Sequence, residues 1–450
     1  MSDTVVSWLR APVTLSPWAG AAIVLDLTGL LLGVVTWWRT AARPAGEHTR
    51  KAVHVGMGTI ATTLPWLFEG TVPVLSLAGG LAIAFVALKL FARRSALGEA
   101  MHDVGRDSRG DLYFAVSVAA LWVLAGGDRL LFVVPVLVLT LGDATAALVG
   151  RHYGRRFFDD RRAGKTFEGS AALVVVTLLA VAAPLTLAGR AAPVAAVLVA
   201  GTLAVLVMLL EAMAWHGLDN VFVPIGAFLL LRTSLDLEPA ALALRLAVAV
   251  ACLGVMALAR TRTTLRDAAL AGAALAGYLV WALQGWWWLL PPLALFAVYT
   301  WLFPRLRASS AREHDLHAVA GVMLPAMAWL FAGRLFEGMN TFVPYAATFV
   351  AQMAMIGVVD ASARRRTDSP FLPLVLGCAL LMLPVVLLVR PWGLVPFASA
   401  AALAGATIAG IAINRGLDRV SPGLHLEPQW DRQARWALVA SLVTLPLIGG

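Results

Sequence analysis

Long apolar stretches alternate with short polar segments along the whole chain. Runs of about 20 mostly apolar residues recur between residues 17 and 449, and an α-helix needs about that length to cross the hydrocarbon core of a bilayer. The pattern predicts an all-α fold, a polytopic transmembrane helical bundle of about 16 spans. The polar segments between the runs are too short to bury a core of their own.

The composition supports a membrane protein and narrows its partners. Of the 450 residues, 60% are hydrophobic and 14% are charged, whereas a soluble domain has about half and a quarter. The net charge of +9 favours cytosolic segments that face anionic membrane lipids, so we expect no nucleic acid partner. Cys252 and Cys378 both lie inside apolar runs, which favours packing over a zinc site or a disulfide framework.

The placement of basic residues predicts the orientation of the chain. If the segment after the first span faces the cytosol and the sides then alternate, most of the 35 lysines and arginines fall on the cytosolic side. The basic segments 39–51, 93–110 and 151–166 are then cytosolic. A polar break after residue 233 suggests two transmembrane domains, residues 1–235 and 236–450.

The segment 141–170 carries most of the candidate chemistry. Asp143 lies within a predicted span, where an ionisable residue is costly and commonly functional; the alternative is a structural partner for a polar neighbour. Ala146, Gly150 and Gly154 follow at helical spacing. Their small side chains allow either a phosphate chain or, as is more common, another helix to approach closely.

A basic loop leads into Lys165-Thr166-x-Glu168-Gly169, which does not have the spacing of a P-loop. Lys165 can bind phosphate through its charge, Thr166 through its hydroxyl and Gly169 through its backbone. Asp143 and Glu168 are candidate ligands for a Mg²⁺ ion that bridges phosphates. An ordinary cytosolic loop explains the arginines, but it explains neither Asp143 nor the Lys-Thr-x-Glu-Gly sequence.

These residues together resemble the CTP-binding signature of the dolichol kinase and phytol kinase family of CTP-dependent polyprenol kinases. The chain reads Asp143-Ala144-x-Ala146-x-x-x-Gly150-x-x-x-Gly154, then Lys165-Thr166-x-Glu168-Gly169. Two further elements resemble these kinases: Arg50-Lys51-x-x-His54, and Glu211 followed by Asp219-Asn220-x-x-x-Pro224. The resemblance covers roughly residues 45–232. It departs at Gly164, where dolichol kinases often carry a second lysine.

The resemblance implies transfer of the γ-phosphate of CTP to a membrane isoprenoid alcohol at the cytosolic face, with Mg²⁺. The alcohol is expected to be of the phytol, geranylgeraniol, farnesol or dolichol type. The implied catalytic residues are Asp143, Lys165, Glu211 and Asp219. The residues implied to bind CTP are Arg50, Lys51, His54, Ala146, Gly150, Gly154, Lys165, Thr166, Glu168, Gly169 and Asn220.

Several assignments stay open at this point. His54 can bind phosphate, transfer a proton or make a structural hydrogen bond. Either Glu211 or Asp219 accepts the proton of the alcohol, and the other can bind metal.

Two other functions are compatible with the sequence. Phosphatidate cytidylyltransferases, which form CDP-lipids, carry a related signature, although their downstream glycine- and histidine-rich run is absent. A membrane transporter is the alternative outside the enzymes. The domain at 236–450 faintly resembles phytyl-phosphate kinases but lacks their acidic element, so its role stays open.

Overall fold

The computed structural model of the chain describes residues 15–91, 110–156, 165–214, 217–302, 314–336, 339–363, 429–442 and 444, and these are mostly helical. The predicted all-α class is therefore confirmed, and an isolated β-bridge joins Leu265 and His314. The chain divides into two compact units, residues 1–250 (unit 1) and 251–450 (unit 2). The division lies inside a helix, and the functional boundary placed after residue 235 stays a prediction.

Unit 1 contains eight complete helices among its described residues and shares a ninth with unit 2. They are α1 Pro17–Ala42, α2 Gly46–Leu67, α3 Thr71–Phe91, α4 Gly110–Ala125, α5 Arg129–Tyr153, α6 Phe167–Leu187, α7 Pro193–Met213, α8 Asp219–Ser234 and the shared α9 Pro239–Ala259.

Polar side chains define where several of these helices begin. The hydroxyl of Ser16 accepts a hydrogen bond from the Ala19 N–H, and Pro17 occupies the first position of α1. The Asp128 carboxylate caps α5 by accepting from two backbone N–H groups at 3.0 and 3.1 Å. The Thr166 hydroxyl caps α6 by accepting from the Gly169 N–H at 3.1 Å. The threonine of the Lys-Thr-x-Glu-Gly sequence thus has a structural role.

Helices α5 and α7 lie at the centre of unit 1. In the most apolar 18-residue stretch of each helix, 56% of the residues are buried, against 22% in α1 and 17% in α9. Helix α5 packs against α2, α6 and α8, and α6 packs against α7. Asp143 on α5 and Glu211 at the end of α7 therefore lie inside the bundle, where they need partners.

Unit 2 is built around a helix whose first part, up to residue 355, is fully buried. Its described helices are α10 Asp267–Gln284, a 3-10 turn Trp286–Leu289, α11 Leu290–Ala297, a π-helical turn Val298–Leu302, α12 Leu316–Leu335, α13 Phe342–Ala363 and α14 Gln429–Ser441. Every residue from 341 to 355 is buried. Helices α12 and α14 both pack on α13 and on each other.

Seven of the described helices are long and apolar enough to cross a membrane: α1, α5, α6, α7, α9, α10 and α12. Shorter apolar helices occur at Thr71–Ala84, Leu112–Ala125 and Phe342–Ile356. These helices support a membrane protein. The expected number of about 16 spans is not confirmed, and two of the expected spans, 370–389 and 392–413, lie outside the described residues.

Candidate active site

A buried lysine and a histidine on α2 meet the aspartate on α5. The side chain of Lys51 is only 3% exposed, and its Nζ donates to Asp143 Oδ2 at 2.6 Å and to the Asp143 carbonyl at 3.3 Å. His54 lies one turn further along α2, with Nε2 3.3 Å from the same carboxylate oxygen. Two elements that are 92 residues apart in the sequence thus form one contact group.

The helices approach closely enough for this contact because of a glycine. A methyl group at Gly58 of α2 would collide with the Thr140 side chain on α5. On the other side, the ring of Phe114 from α4 packs edge-on against the His54 ring, with centroids 5.8 Å apart. The polar group is therefore bounded by an apolar aromatic wall.

A second lysine connects the start of α6 to the end of α7. Lys165 Nζ donates to the carbonyls of Glu211 and Ala214, the latter at 2.9 Å, and lies 3.2 Å from Glu211 Oε1. The last carbonyls of a helix lack partners within it and carry partial negative charge, so a lysine there is favourable. The three partners match the three N–H donors of the ammonium.

The charges of the two lysine groups lie close enough together to act on one another. Arg50, hydrogen-bonded to Glu47 at 2.6 Å, also interacts with the charges of Asp143 and Asp219. Glu211 interacts with the charges of Asp219 and Asp143 as well as with Lys165. The predicted residues Arg50, Lys51, His54, Asp143, Lys165, Glu211 and Asp219 thus belong to one region of unit 1.

Asn220, the second residue of α8, is also part of the predicted set. Its side chain is buried, and its Oδ1 has no hydrogen-bond partner among the described residues. A buried acceptor without a partner is uncommon and favours a ligand or water at that point.

The glycines of the signature lie where α5 and α6 cross. A methyl group on Gly169 would lie 2.6 Å from the Ala146 carbonyl oxygen, and one on Gly150 would lie 2.7 Å from Thr166 Oγ1. A methyl group on Gly154 would also collide with Thr166. The structure therefore places this small-residue stripe at a helix contact, one of the two uses that the sequence left open.

The expected metal pair does not come together in this arrangement. Gly150 lies beside Gly169, and Asp143 is seven residues from Gly150, or roughly 10 Å along α5. Glu168 instead accepts from the backbone N–H of Arg156 at 3.4 Å. The described residues contain no group of three or more His, Cys, Asp or Glu side chains that could hold a metal ion. This geometry favours separate positions for the two carboxylates, and the Mg²⁺ site stays a prediction.

A cavity that the sequence did not predict lies at the end of α5. It has a volume of about 410 Å³ and is lined by His152, Tyr153, Gly154, Arg155 and Glu168. The rings of His152 and Tyr153 meet edge-on with centroids 4.5 Å apart, and Tyr153 is 65% exposed. An aromatic pair at a helix end beside a basic loop was the available signal in the sequence.

Comparison with known proteins supports the resemblance seen in the sequence. The chain is 28% identical over 222 residues to a phytol kinase of Synechocystis sp., and the match covers 49% of this chain and 93% of that protein. No family model matches the chain, and no solved structure matches it. The resemblance to polyprenol kinases is confirmed by this relative.

Proposed function

We propose that this chain is a lipid alcohol kinase that transfers the γ-phosphate of CTP to a membrane isoprenoid alcohol at the cytosolic face. The observation that carries the proposal is the buried Lys51–Asp143–His54 group, found in a chain similar to a phytol kinase. A phytol kinase phosphorylates a hydrophobic alcohol, which agrees with a charged group placed inside a bundle of apolar helices.

Phosphoryl transfer depends mainly on positioning and on charge stabilisation. The cluster offers three cations for the phosphates: Arg50, Lys51 and Lys165. Buried charges are costly unless they are paired, and here the pairing with Glu47, Asp143 and Glu211 holds these cations in place before the nucleotide binds.

Glu211 or Asp219 accepts the proton of the alcohol as its oxygen attacks the γ-phosphorus, and CDP leaves with the bridging oxygen. Binding of phosphate by Lys165 exchanges its contact with Glu211 for a contact with the nucleotide, which frees that carboxylate for proton transfer. Mg²⁺ is usually held by one or two carboxylates together with substrate phosphates, whose charge it neutralises. Asp143 would be one such ligand, and whichever of Glu211 and Asp219 does not accept the proton would be the other.

The test uses membranes that contain the full chain, γ-labelled CTP and a panel of phytol, farnesol, geranylgeraniol and dolichol. We expect labelled isoprenyl monophosphate with at least one alcohol. Replacing the label by α-labelled CTP should leave the lipid fraction unlabelled, because a kinase releases the cytidine as CDP. Labelled lipid in that second assay would support a cytidylyltransferase instead, and no labelled lipid in either assay would refute the proposal.

The proposed orientation has its own test. Arg155 is exposed at the end of α5, so a cysteine there, in a variant without Cys252 and Cys378, should resist an impermeant thiol reagent in intact cells. The same cysteine should react once the membrane is permeabilised. Reaction in intact cells would place the site away from cytosolic CTP.

A further inference from the structure

The cavity at the end of α5 has the size and the chemistry of a base-binding site. Its volume of about 410 Å³ falls in the usual range for small-molecule pockets, about 300–1,000 Å³. Its wall combines aromatic rings, His152 and Tyr153, with a carboxylate and a guanidinium, Glu168 and Arg155. Asp143 lies ten residues before Tyr153, roughly 15 Å along the helix, so a ligand in the cavity would not itself contact the Lys51–Asp143 pair.

We propose that this cavity binds the cytosine base of the nucleotide and that Glu168 selects cytosine over uracil. This inference rests on the proposed function for the identity of the nucleotide. The ribose and triphosphate would then extend from the cavity toward the cations of the active-site cluster.

The carboxylate of Glu168 has the polarity that distinguishes the two pyrimidines. Cytosine carries an amino group at C4, and a carboxylate is a suitable acceptor for it. Uracil carries an oxygen at the same position, which would face the carboxylate as a second acceptor. The hydrogen bond from the Arg156 backbone holds Glu168 at the cavity wall, and its position in the first turn of α6 favours its negative charge.

The other lining residues complete the recognition of a pyrimidine. Arg155 presents N–H donors, and cytosine offers acceptors at N3 and O2. The exposed ring of Tyr153 provides a surface on which a base can stack, an interaction that tolerates any base because every base has a π-face. Glu168 thus determines specificity, whereas Tyr153 contributes affinity for nucleotides in general.

Direct nucleotide binding tests this assignment without requiring kinase activity. The full chain in detergent micelles is titrated with labelled CTP and UTP in the absence of alcohol. The wild type should bind CTP about 10-fold to 100-fold more tightly than UTP, as one base contact of this kind provides. Glu168→Gln should bring the two affinities together, because an amide can accept from cytosine and donate to uracil.

Two variants separate stacking from selection. Tyr153→Ala should weaken CTP and UTP binding by the same factor, about 10-fold, whereas Tyr153→Phe should bind both as the wild type does. Glu238→Gln, at an exposed glutamate before α9, is the control for loss of one negative charge. If Tyr153 only anchors the helix at the membrane surface, Tyr153→Ala will leave both affinities unchanged, which would contradict the base site.

The outcome that overturns the assignment is equal weakening of CTP and UTP in Glu168→Gln, or a wild type that does not distinguish them. Should that variant fail to fold, the wild type can be titrated with N4,N4-dimethyl-CTP, which lacks the amino protons. Its affinity should fall to that of UTP, and unchanged affinity would also refute the proposal. Selective CTP binding with no phosphorylated alcohol would refute the kinase function and leave the base site standing.

Discussion

The two units place different chemistry on their central helices. In unit 1, the buried helix α5 carries Asp143, which is paired with a lysine that is only 3% exposed. In unit 2, the stretch 341–355 of the buried helix α13 contains no charged residue, and its polar side chains are neutral, with Gln352 among them. Both centres are closely packed, and among the described residues the centre of unit 1 contains an ion pair whereas the stretch 341–355 does not.

The difference indicates where the function lies. Burying an ion pair often stabilises a fold no more than well-packed apolar residues would, so packing alone gives little reason to keep Lys51 and Asp143. A neutral amide such as Gln352 fixes the register of neighbouring helices at smaller cost. We infer that the centre of unit 1 is built for chemistry and the described centre of unit 2 for packing.

The largest expected effect comes from removing the central charge of unit 1. Asp143→Asn should lower the kinase rate by about 10²–10³-fold, as loss of a preorganised charge contact does. The matched variant is Asp267→Asn in unit 2, whose carboxylate makes two hydrogen bonds with Arg260 at 2.7 and 2.8 Å. That variant should lower the free energy of unfolding by about 1–3 kcal/mol and leave the kinase rate unchanged. The assay with γ-labelled CTP and thermal unfolding in detergent measure both quantities.

A second variant prevents confusion between inactivity and misfolding. Asp143→Asn leaves Lys51 buried without its counter-ion, which commonly costs about 3–5 kcal/mol. The double variant Lys51→Met with Asp143→Asn removes both charges and should regain much of that stability while staying inactive. Near-normal activity in either variant would show that Asp143 is structural, and the contrast between the units would fail.

The fold class and the identity of the Asp143 region followed from the sequence because both depend on local patterns. Apolar runs of span length predict helices, and a carboxylate inside one of them is conspicuous. The contact of Lys51 with Asp143 could not be derived from spacing, since it depends on how α2 packs on α5. The resemblance to a kinase family linked the two elements without giving their geometry.

The contacts of Lys165 could not be predicted from the sequence for a different reason. Its partners are the terminal carbonyls of α7, and which carbonyls are exposed depends on where that helix ends. Glu168 was predicted to bind CTP and, together with Asp143, a Mg²⁺ ion, and in the structure it lines the cavity and accepts from the Arg156 backbone N–H. The number of spans was uncertain because several apolar runs are short.

The next largest effect is expected where α5 and α6 are in close contact. A glycine of unit 2 with open space around it serves as the comparison. Gly169→Ala in unit 1 places a methyl group 2.6 Å from the Ala146 carbonyl oxygen and should cost about 1–3 kcal/mol as α6 moves away from α5. The kinase rate should fall with it, because Thr166 and Glu168 belong to the same turn. Gly277→Ala on α10 meets no atom within 4 Å and should stabilise unit 2 by about 0.5–1 kcal/mol. Unfolding midpoints of the two variants should show a loss of stability in Gly169→Ala and a gain in Gly277→Ala. A Gly169→Ala protein as stable as wild type would contradict the close contact.

The smallest effect is expected at the neutral centre of unit 2. Gln352 Nε2 donates to the Gly321 carbonyl at 2.9 Å and lies 3.5 Å from the Gln433 carbonyl, while its Oε1 is buried without a hydrogen-bond partner among the described residues. Gln352→Leu removes that unsatisfied acceptor, but it also takes the side-chain donor away from the Gly321 carbonyl, and Pro325, four residues further along α12, has no N–H to replace it. The two changes offset each other only in part, so the free energy of unfolding should fall by about 1 kcal/mol, and the kinase rate should not change. Thermal unfolding and the γ-labelled CTP assay measure these quantities.

Gln352→Glu is the informative partner, because a carboxylate at this position would have to be buried in an uncharged stretch and should destabilise unit 2 by several-fold more than leucine does. Should Gln352→Leu instead abolish phosphorylation while the protein stays folded, the neutral centre of unit 2 would be part of the kinase, and the separation of chemistry from packing would be wrong.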